Sequence, residues 1–144
     1  MKKTIIFDLD GVLARDGETA AILEGNKRDY AEFNNIAAHA APVPEMFHMA
    51  RTFWANGHKV AVYTARSHDI FYSTRAWLDA HGLEFAELVM RAPDSVLHDW
   101  KEKEIMARAA LDTGEKIAFA VDNNDECLAA YERLGISTVR VHYE

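Results

Sequence analysis

Residues 3–13 read KTIIFDLDGVL, and this stretch decides the fold. The apolar run at residues 5–7 is typical of a parallel strand that is buried on both faces. Side chains two residues apart on a strand point the same way, so Asp8 and Asp10 are predicted to converge beyond its carboxyl end. Gly11 permits a sharp turn there. The plainer interpretation is a strand followed by an acidic turn, because Asp and Gly are common turn residues.

The two converging carboxylates also indicate a ligand. Like charges this close repel each other unless a positive group lies between them. Mg²⁺ is a usual solution, because it is bound by a few oxygens and leaves room for a phosphate. Open α/β sheets bind their ligands beyond the carboxyl ends of the strands, which is where Asp8 and Asp10 would lie. The stretch therefore predicts a magnesium and phosphate site.

The remainder of the chain alternates between helical and strand patterns. The pattern predicts helices at 44–56, 70–81 and 98–112 and one after residue 122, with strands at 59–66, 88–91, 116–121 and 137–141. This alternation is typical of an α/β fold, Rossmann-like, with a mainly parallel sheet and helices on both faces. We expect one domain over residues 1–144.

The third predicted helix matters for the site because it carries two lysines. Its expected inner face contains four apolar residues: Ile105, Met106, Ala109 and Ala110. Lys101 lies four residues before Ile105, so it is predicted to lean toward the same face and reach the sheet edge. Lys103 is the competing candidate.

Residues 14–42 interrupt the alternation and are long for a connection within a compact domain. Because the segment follows the Asp pair directly, we expect a small cap over the site. Four of its residues are candidates for holding a substrate: Arg15, Lys27, Arg28 and Tyr30. An ordinary solvated loop explains each of them equally well.

Polar residues also follow two later strands. Thr64 and Arg66 end one, and Asp122 and Asn123 end another, with Asp125 close behind. The carboxyl ends of parallel strands meet at one edge of a sheet, so these groups should join Asp8. An Asp after a strand is also a common helix cap, and it is the joint order of the groups that points to a site.

Composition limits the possible partners. The chain has 144 residues, of which 49% are hydrophobic, and a formal net charge of −7. Such a charge argues against binding to extended duplex nucleic acid but allows a short strand end or a nucleotide. Cys127 is the single cysteine, which excludes an intrachain disulfide and fits a cytoplasmic location. No stretch reaches transmembrane length, so we expect no membrane association.

The order of these motifs resembles the haloacid dehalogenase-like superfamily of aspartate-nucleophile phosphotransferases. Within it, the chain is most similar to the phosphatase half of phage-type polynucleotide kinase-phosphatase. The segments that carry this narrower resemblance are Asp29-Tyr30-Ala31-Glu32, Arg66, Thr74-Arg75-Ala76-Trp77 and Met90-Arg91. The chain has no Gly-rich phosphate loop of the kinase half.

The resemblance implies a phosphatase that removes 3′-phosphates from nucleic-acid ends or nucleotides through an aspartyl-phosphate. The implied catalytic residues are Asp8 as nucleophile, Asp10 as acid and base, and Thr64 and Lys101 as phosphate ligands. The implied substrate-binding residues are Gly11, Ala65, Arg66 and Arg28, and the implied Mg²⁺ ligands are Asp8, Asp10, Asp122 and Asn123.

Two departures from the subgroup leave alternatives open. Asn123 stands where a second Asp is common, so either Asn123 or Asp125 completes the metal site. The lysine spacing is off by one, which keeps Lys103 in competition with Lys101. Other hypotheses are a phosphatase for free mononucleotides or other small phosphate esters, and a catalytically silent relative that only binds. The intact Asp8, Asp10, Thr64 and Lys101 set argues against the silent relative.

Overall fold

The computed structural model describes residues 2–15 and 39–143. Within them the chain forms a five-stranded sheet, in the order β3-β2-β1-β4-β5, in which all pairs are parallel. The strands are β1 (Thr4–Phe7), β2 (Lys59–Ser67), β3 (Glu87–Arg91), β4 (Ile117–Asp122) and β5 (Thr138–Arg140). The helices are α1 (Pro44–Ala55), α2 (Phe71–Ala80), α3 (Asp99–Asp112) and α4 (Asp125–Arg133), with a 3₁₀ turn at His68–Ile70. The predicted α/β architecture is confirmed.

The central strand β1 is buried at all four residues because helices cover both sheet faces. On one face, Ile5 and Phe7 pack in a cluster with Phe47 of α1 and Trp77 of α2. On the other face, Ile6 packs in a second cluster with residues of α3 and α4. The alternation of side chains along β1 therefore supplies both cores, which explains its continuous apolar sequence.

The strand order places a switch point between β1 and β4. The chain runs from β1 outward to β2 and β3, and then crosses back to β4 on the other side of β1. Phe7 is in register with Val121 of β4, and the backbone N–H of Asp8 donates to the carbonyl of Val121 at 2.9 Å. The ends of β1 and β4 are therefore level, at the position where doubly wound sheets bind their ligands.

The predicted insertion at 14–42 lies largely outside the described residues. Its two described ends run side by side, since Arg15 N–H donates to the Ala41 carbonyl at 2.9 Å and Val43 N–H to the Leu13 carbonyl at 2.8 Å. The intervening segment thus leaves and returns at one place beside the Asp8 strand end. Its role as a cap stays a prediction.

None of the described helices is long and apolar enough to cross a membrane.

Candidate active site

A buried lysine joins two carboxylates at the switch point. Lys103 Nζ donates to Asp8 Oδ1 at 3.0 Å and to Asp122 Oδ2 at 2.9 Å. Asp8 follows β1, Asp122 ends β4, and Lys103 comes from the second turn of α3. With only 2% of its surface exposed, Lys103 is enclosed by the groups it binds. Three elements distant in sequence therefore meet at one ammonium group.

The prediction that Lys101 reaches this edge is wrong. Lys101 points away, has a side chain that is 42% exposed, and pairs with Glu104 at 2.8 Å. The error lies in the assumed face of α3. The buried residues are Glu102, Lys103, Met106, Ala107 and Ala110, whereas Ile105, which was expected inside, is 47% exposed. Ala109 is exposed as well.

The observed face of α3 has a physical reason. Lys103, Met106, Ala107 and Ala110 follow the i, i+3, i+4, i+7 spacing of one helix stripe. Turning that stripe inward brings a cation to Asp8 and Asp122, which would otherwise face each other unneutralised. Exposing one isoleucine costs less than burying two unpaired carboxylates.

Burial disfavours the charged forms of both Asp8 and Lys103, but the two side chains respond differently. Burial raises the pKa of Asp8 well above its usual range, Asp122 adds to the rise, and Lys103 opposes it. For Lys103, burial alone would lower the pKa, but the neighbouring carboxylate of Asp8 and other groups hold it well above the usual range. The lysine is therefore an ammonium at neutral pH, and two carboxylates share it. This arrangement favours a further positive charge beside Asp8.

Asp122 is fixed by the start of the last helix. Its Oδ1 accepts the backbone N–H groups of Asn123 at 2.8 Å and Asn124 at 3.0 Å. The Asn124 side chain in turn accepts from Cys127 N–H at 3.0 Å and caps α4. Asp125 lies outside this group, with a side chain that is 77% exposed and paired with Arg140. Between the two open alternatives, the structure leaves Asn123 beside the site and Asp125 away from it.

Asp10 forms a second ion pair nearer the surface. Arg66 Nη2 donates to Asp10 Oδ1 at 2.6 Å, and Arg66 Nε donates to Oδ2 at 2.8 Å. Arg66 Nη1 lies 3.3 Å from the hydroxyl of Thr74. The guanidinium of Arg66 on β2 is thus held by Asp10 in the turn after β1 and by Thr74 of α2. Such a two-point fork is the geometry that also suits a phosphate.

The other predicted residues of β2 lie at the same edge. Thr64 is buried within β2, three residues before the strand ends at Ser67, and its hydroxyl accepts the backbone N–H of Arg66 at 3.1 Å. The carbonyl of Ala65 accepts a hydrogen bond from Arg91, so this carbonyl has a structural partner within the chain. Gly11 has a φ of 88°, which a residue with a Cβ rarely adopts, and its N–H donates to the Ala14 carbonyl.

Arg91 supports the site through its contacts with β2 and α3, a role that the sequence analysis did not assign, although Met90-Arg91 is part of the resemblance. It is buried, donates to the carbonyls of Ala65 at 2.9 Å and of Leu97, and pairs with Asp99 in the first turn of α3. Arg91 therefore ties the end of β2 to the helix that presents Lys103. The available signal was a charged residue at the end of a strand with an acidic helix start eight residues later.

Arg28, Lys27 and Tyr30 lie outside the described residues. Arg15 is described, and its guanidinium lies over the ring of Tyr143 at 5.4 Å from the ring centre. Arg15 therefore packs against the C-terminal part of the chain, and its contact with a substrate stays a prediction.

The donor set fits a magnesium ion. Among residues 2–15 and 39–143, no three His, Cys, Asp or Glu side chains are grouped to hold a metal. Mg²⁺ needs fewer, since it is often bound by one or two carboxylates with the substrate phosphate and water completing the shell. Asp8 and Asp122 supply two carboxylates with only one neutralising lysine. Asp8 Oδ2 accepts no hydrogen bond from the part of the chain that the structure describes.

Similar structures share this fold. A chain of a Pnkp1/Rnl/Hen1 complex superposes with a TM-score of 0.80 at 18% identity, covering 99% of this chain and 47% of that one. A class C acid phosphatase from Bacillus anthracis with tungstate bound gives 0.69 at 15% identity, covering 97% and 66%. A D,D-heptose 1.7-bisphosphate phosphatase from B. bronchiseptica, complexed with magnesium and phosphate, gives 0.63 at 16%, covering 94% and 78%. No curated protein sequence matches the chain.

The sheet order and these likenesses define an α/β fold that the chain shares with structures described as phosphatases. The family model described as the polynucleotide kinase PNKP phosphatase domain matches residues 2–144. The chain therefore belongs to that family of phosphatase domains. It spans about half the length of the complex subunit that it resembles.

Proposed function

We propose that this protein is a Mg²⁺-dependent phosphomonoesterase that works through an aspartyl-phosphate and removes 3′-phosphates from nucleic-acid ends or nucleotides. The observation that carries the proposal is the bridge from Lys103 to both Asp8 and Asp122. It places a cation, a nucleophile candidate and a metal-ligand candidate within hydrogen-bond distance at the switch point.

Asp8 is the nucleophile in this proposal. Lys103 holds Oδ1, which fixes the carboxylate and leaves Oδ2 to attack phosphorus. The new bond joins Asp8 Oδ2 to phosphorus while the ester bond to the leaving oxygen breaks. A water molecule then attacks the phosphorus of the aspartyl-phosphate, which releases phosphate and restores the Asp8 carboxylate.

In this proposal Asp10 is the general acid of the first step and the general base of the second. In the first step it protonates the leaving oxygen, and in the second it takes a proton from the attacking water. Both of its oxygens accept from Arg66 in the described arrangement. Each of these oxygens keeps a second lone pair, so Asp10 can exchange a proton while Arg66 orients its carboxyl group.

The remaining groups stabilise the transferring phosphoryl oxygens. Lys103 and the hydroxyl of Thr64 are buried donors at the same edge, where such interactions are stronger than in water. Asp8, Asp122 and the carbonyl of Asp10 would hold Mg²⁺, whose charge would offset the repulsion between Asp8 and an anionic phosphate. Arg66 supplies the outer contact to phosphate or to the sugar-phosphate backbone.

The family supports a nucleic-acid end as the substrate, because its model describes a polynucleotide kinase phosphatase domain. The net charge of −7 supports contact with a few nucleotides only. Free mononucleotides and other small phosphate esters are the competing substrates, since the same negative charge favours a small substrate.

The test is a substrate panel. We expect Mg²⁺-dependent release of phosphate from 3′-phosphorylated mononucleotides and short oligonucleotides, with little gain in kcat/KM from longer strands and a shallow salt dependence. A clear preference for 5′-phosphates, or a steep rise with length, would reject the substrate assignment and leave the chemistry standing. Full activity in the presence of EDTA would reject the metal.

A further inference from the structure

The inner face of α4 carries two polar groups behind the site. Cys127 and Tyr131 are four residues apart, so they lie on one side of the helix, and both are buried. Tyr131 packs in the same cluster as Met106 and Ala107, the residues that follow Lys103 on the inner stripe of α3. The two helices therefore enclose the lysine, the thiol and the phenol together.

Tyr131 has an unusual hydroxyl. The residue is 1% exposed, and its hydroxyl has no hydrogen-bond partner within the described part of the chain. Leaving a buried hydroxyl unpaired costs about 1–3 kcal/mol. Phenylalanine would fill the same volume without that cost. A tyrosine at this position is therefore expected to have a hydrogen-bond partner for its hydroxyl.

Lys103 has one N–H donor without a hydrogen-bond acceptor among the described residues. An ammonium group has three N–H donors, and Asp8 and Asp122 accept two of them. The third has no acceptor among residues 2–15 and 39–143. Burial raises the pKa of Tyr131 beyond its usual range, while Lys103 acts in the opposite direction, as expected for neighbouring groups. The two groups share the interior between α3 and α4, where Tyr131 packs with Met106 and Ala107, and no direct hydrogen bond joins them.

We propose that Tyr131 is a positioning residue that holds Lys103 through one buried water molecule. The water accepts the third N–H of Lys103 and bonds to the Tyr131 hydroxyl, and the Cys127 thiol offers a further weak partner. Two to four polar partners are what a buried water needs. The kinetic part of this inference rests on the proposed function, since Lys103 must then present its charge to the transferring phosphate.

The experiment compares two tyrosines that lie in one hydrophobic cluster. Tyr131→Phe removes the hydroxyl with no change of shape, and Tyr63→Phe is the matched control, because Tyr63 is equally buried but has Glu87 and Glu115 as its charged neighbours. Each change is made in the native chain and in a Lys103→Met background. The readouts are the thermal midpoint, kcat and KM, and a high-resolution crystal structure.

A water-linked hydroxyl gives a specific pattern. Tyr131→Phe should lower the thermal midpoint by about 2–4 °C and kcat by about tenfold with little change in KM. Both effects should vanish in the Lys103→Met background, because residues that act through each other are not additive. The crystal structure should show a water within hydrogen-bond distance of Lys103 Nζ and the Tyr131 hydroxyl. Tyr63→Phe should leave kcat unchanged.

Other results would overturn the inference. A thermal midpoint that rises or stays constant in Tyr131→Phe would mean that the hydroxyl is truly unpaired. Equal effects with and without Lys103 would mean that Tyr131 only fills space. The crystal structure decides the matter if Lys103→Met fails to fold. If no phosphate ester is hydrolysed, the proposed function fails, whereas the thermal coupling and the water still test the inference.

Discussion

Two ion-paired groups lie at the same sheet edge, and they differ in burial and in geometry. In the inner group, Lys103 joins Asp8 and Asp122, and all three side chains are largely shielded from solvent. In the outer pair, Arg66 forms a two-point fork with Asp10, whose side chain is 25% exposed. The inner group has one cation for two carboxylates, while the outer pair is balanced. We therefore propose that the inner group binds Mg²⁺ as a further cation. In the outer pair, we propose that Arg66 binds the substrate phosphate in addition to, or in place of, the Asp10 carboxylate.

We expect the largest loss of activity when the proposed nucleophile of the inner group is removed. Asp8→Asn keeps the shape of the side chain and relieves the charge crowding, so the protein should fold. Loss of the attacking oxygen should lower kcat by about 10⁴–10⁶-fold, as for other nucleophile deletions. The measurement is phosphate release under saturating Mg²⁺, with circular dichroism as the check of folding. Comparable turnover in Asp8→Asn would eliminate the aspartyl-phosphate.

The two lysines of α3 test which of them serves the phosphate. Lys103→Ala removes the buried donor and should raise the barrier by about 2.7–4 kcal/mol, or roughly 10²–10³-fold in kcat. Lys101→Ala, on the exposed side of the same helix, removes only a surface pair with Glu104 and should be nearly neutral. An exchange of these two results would contradict the observed face of the helix.

Asp122 tests the unbalanced charge directly. Asp122→Asn removes one of the two carboxylates that share Lys103, so the Mg²⁺ concentration for half-maximal activity should rise by about 10–100-fold. Asp125→Asn is the control, because Asp125 is exposed and paired with Arg140. A metal titration that ranks the two variants in the reverse order would place the metal ligand at Asp125.

The outer pair should show the smallest effect. Arg66→Lys keeps the charge but loses the fork, so we expect kcat/KM to fall by about tenfold, mainly through KM. Arg75→Lys is the control, since Arg75 is exposed on α2 and only loosely paired with Asp79. A loss of kcat alone in Arg66→Lys would mean that the arginine acts on Asp10 and makes no contact with the phosphate.

The same two groups show what the sequence could predict. Asp8 and Asp10 were identifiable because strand periodicity and a two-residue spacing are local properties. The face of α3 was not, because Ile105 satisfied an apolar pattern and the partners of Lys103 come from β1 and β4. Asp8 and Asp122 are 95 and 19 residues away from Lys103 in sequence, so no local pattern predicts that they contact it. The role of Arg91 was not predicted for the same reason, since its partners at Ala65, Leu97 and Asp99 meet it only in the folded chain.

The hydrogen bonds that hold the Asp122 carboxylate affect the free energy of ligand binding. Two backbone N–H groups hold one oxygen and Lys103 holds the other, so the carboxylate has already lost its rotational freedom. Ordering a free side chain at a binding site costs about 0.5–1.5 kcal/mol. At Asp122 that entropy was lost when the chain folded, and a ligand that meets this carboxylate should bind without the ordering penalty.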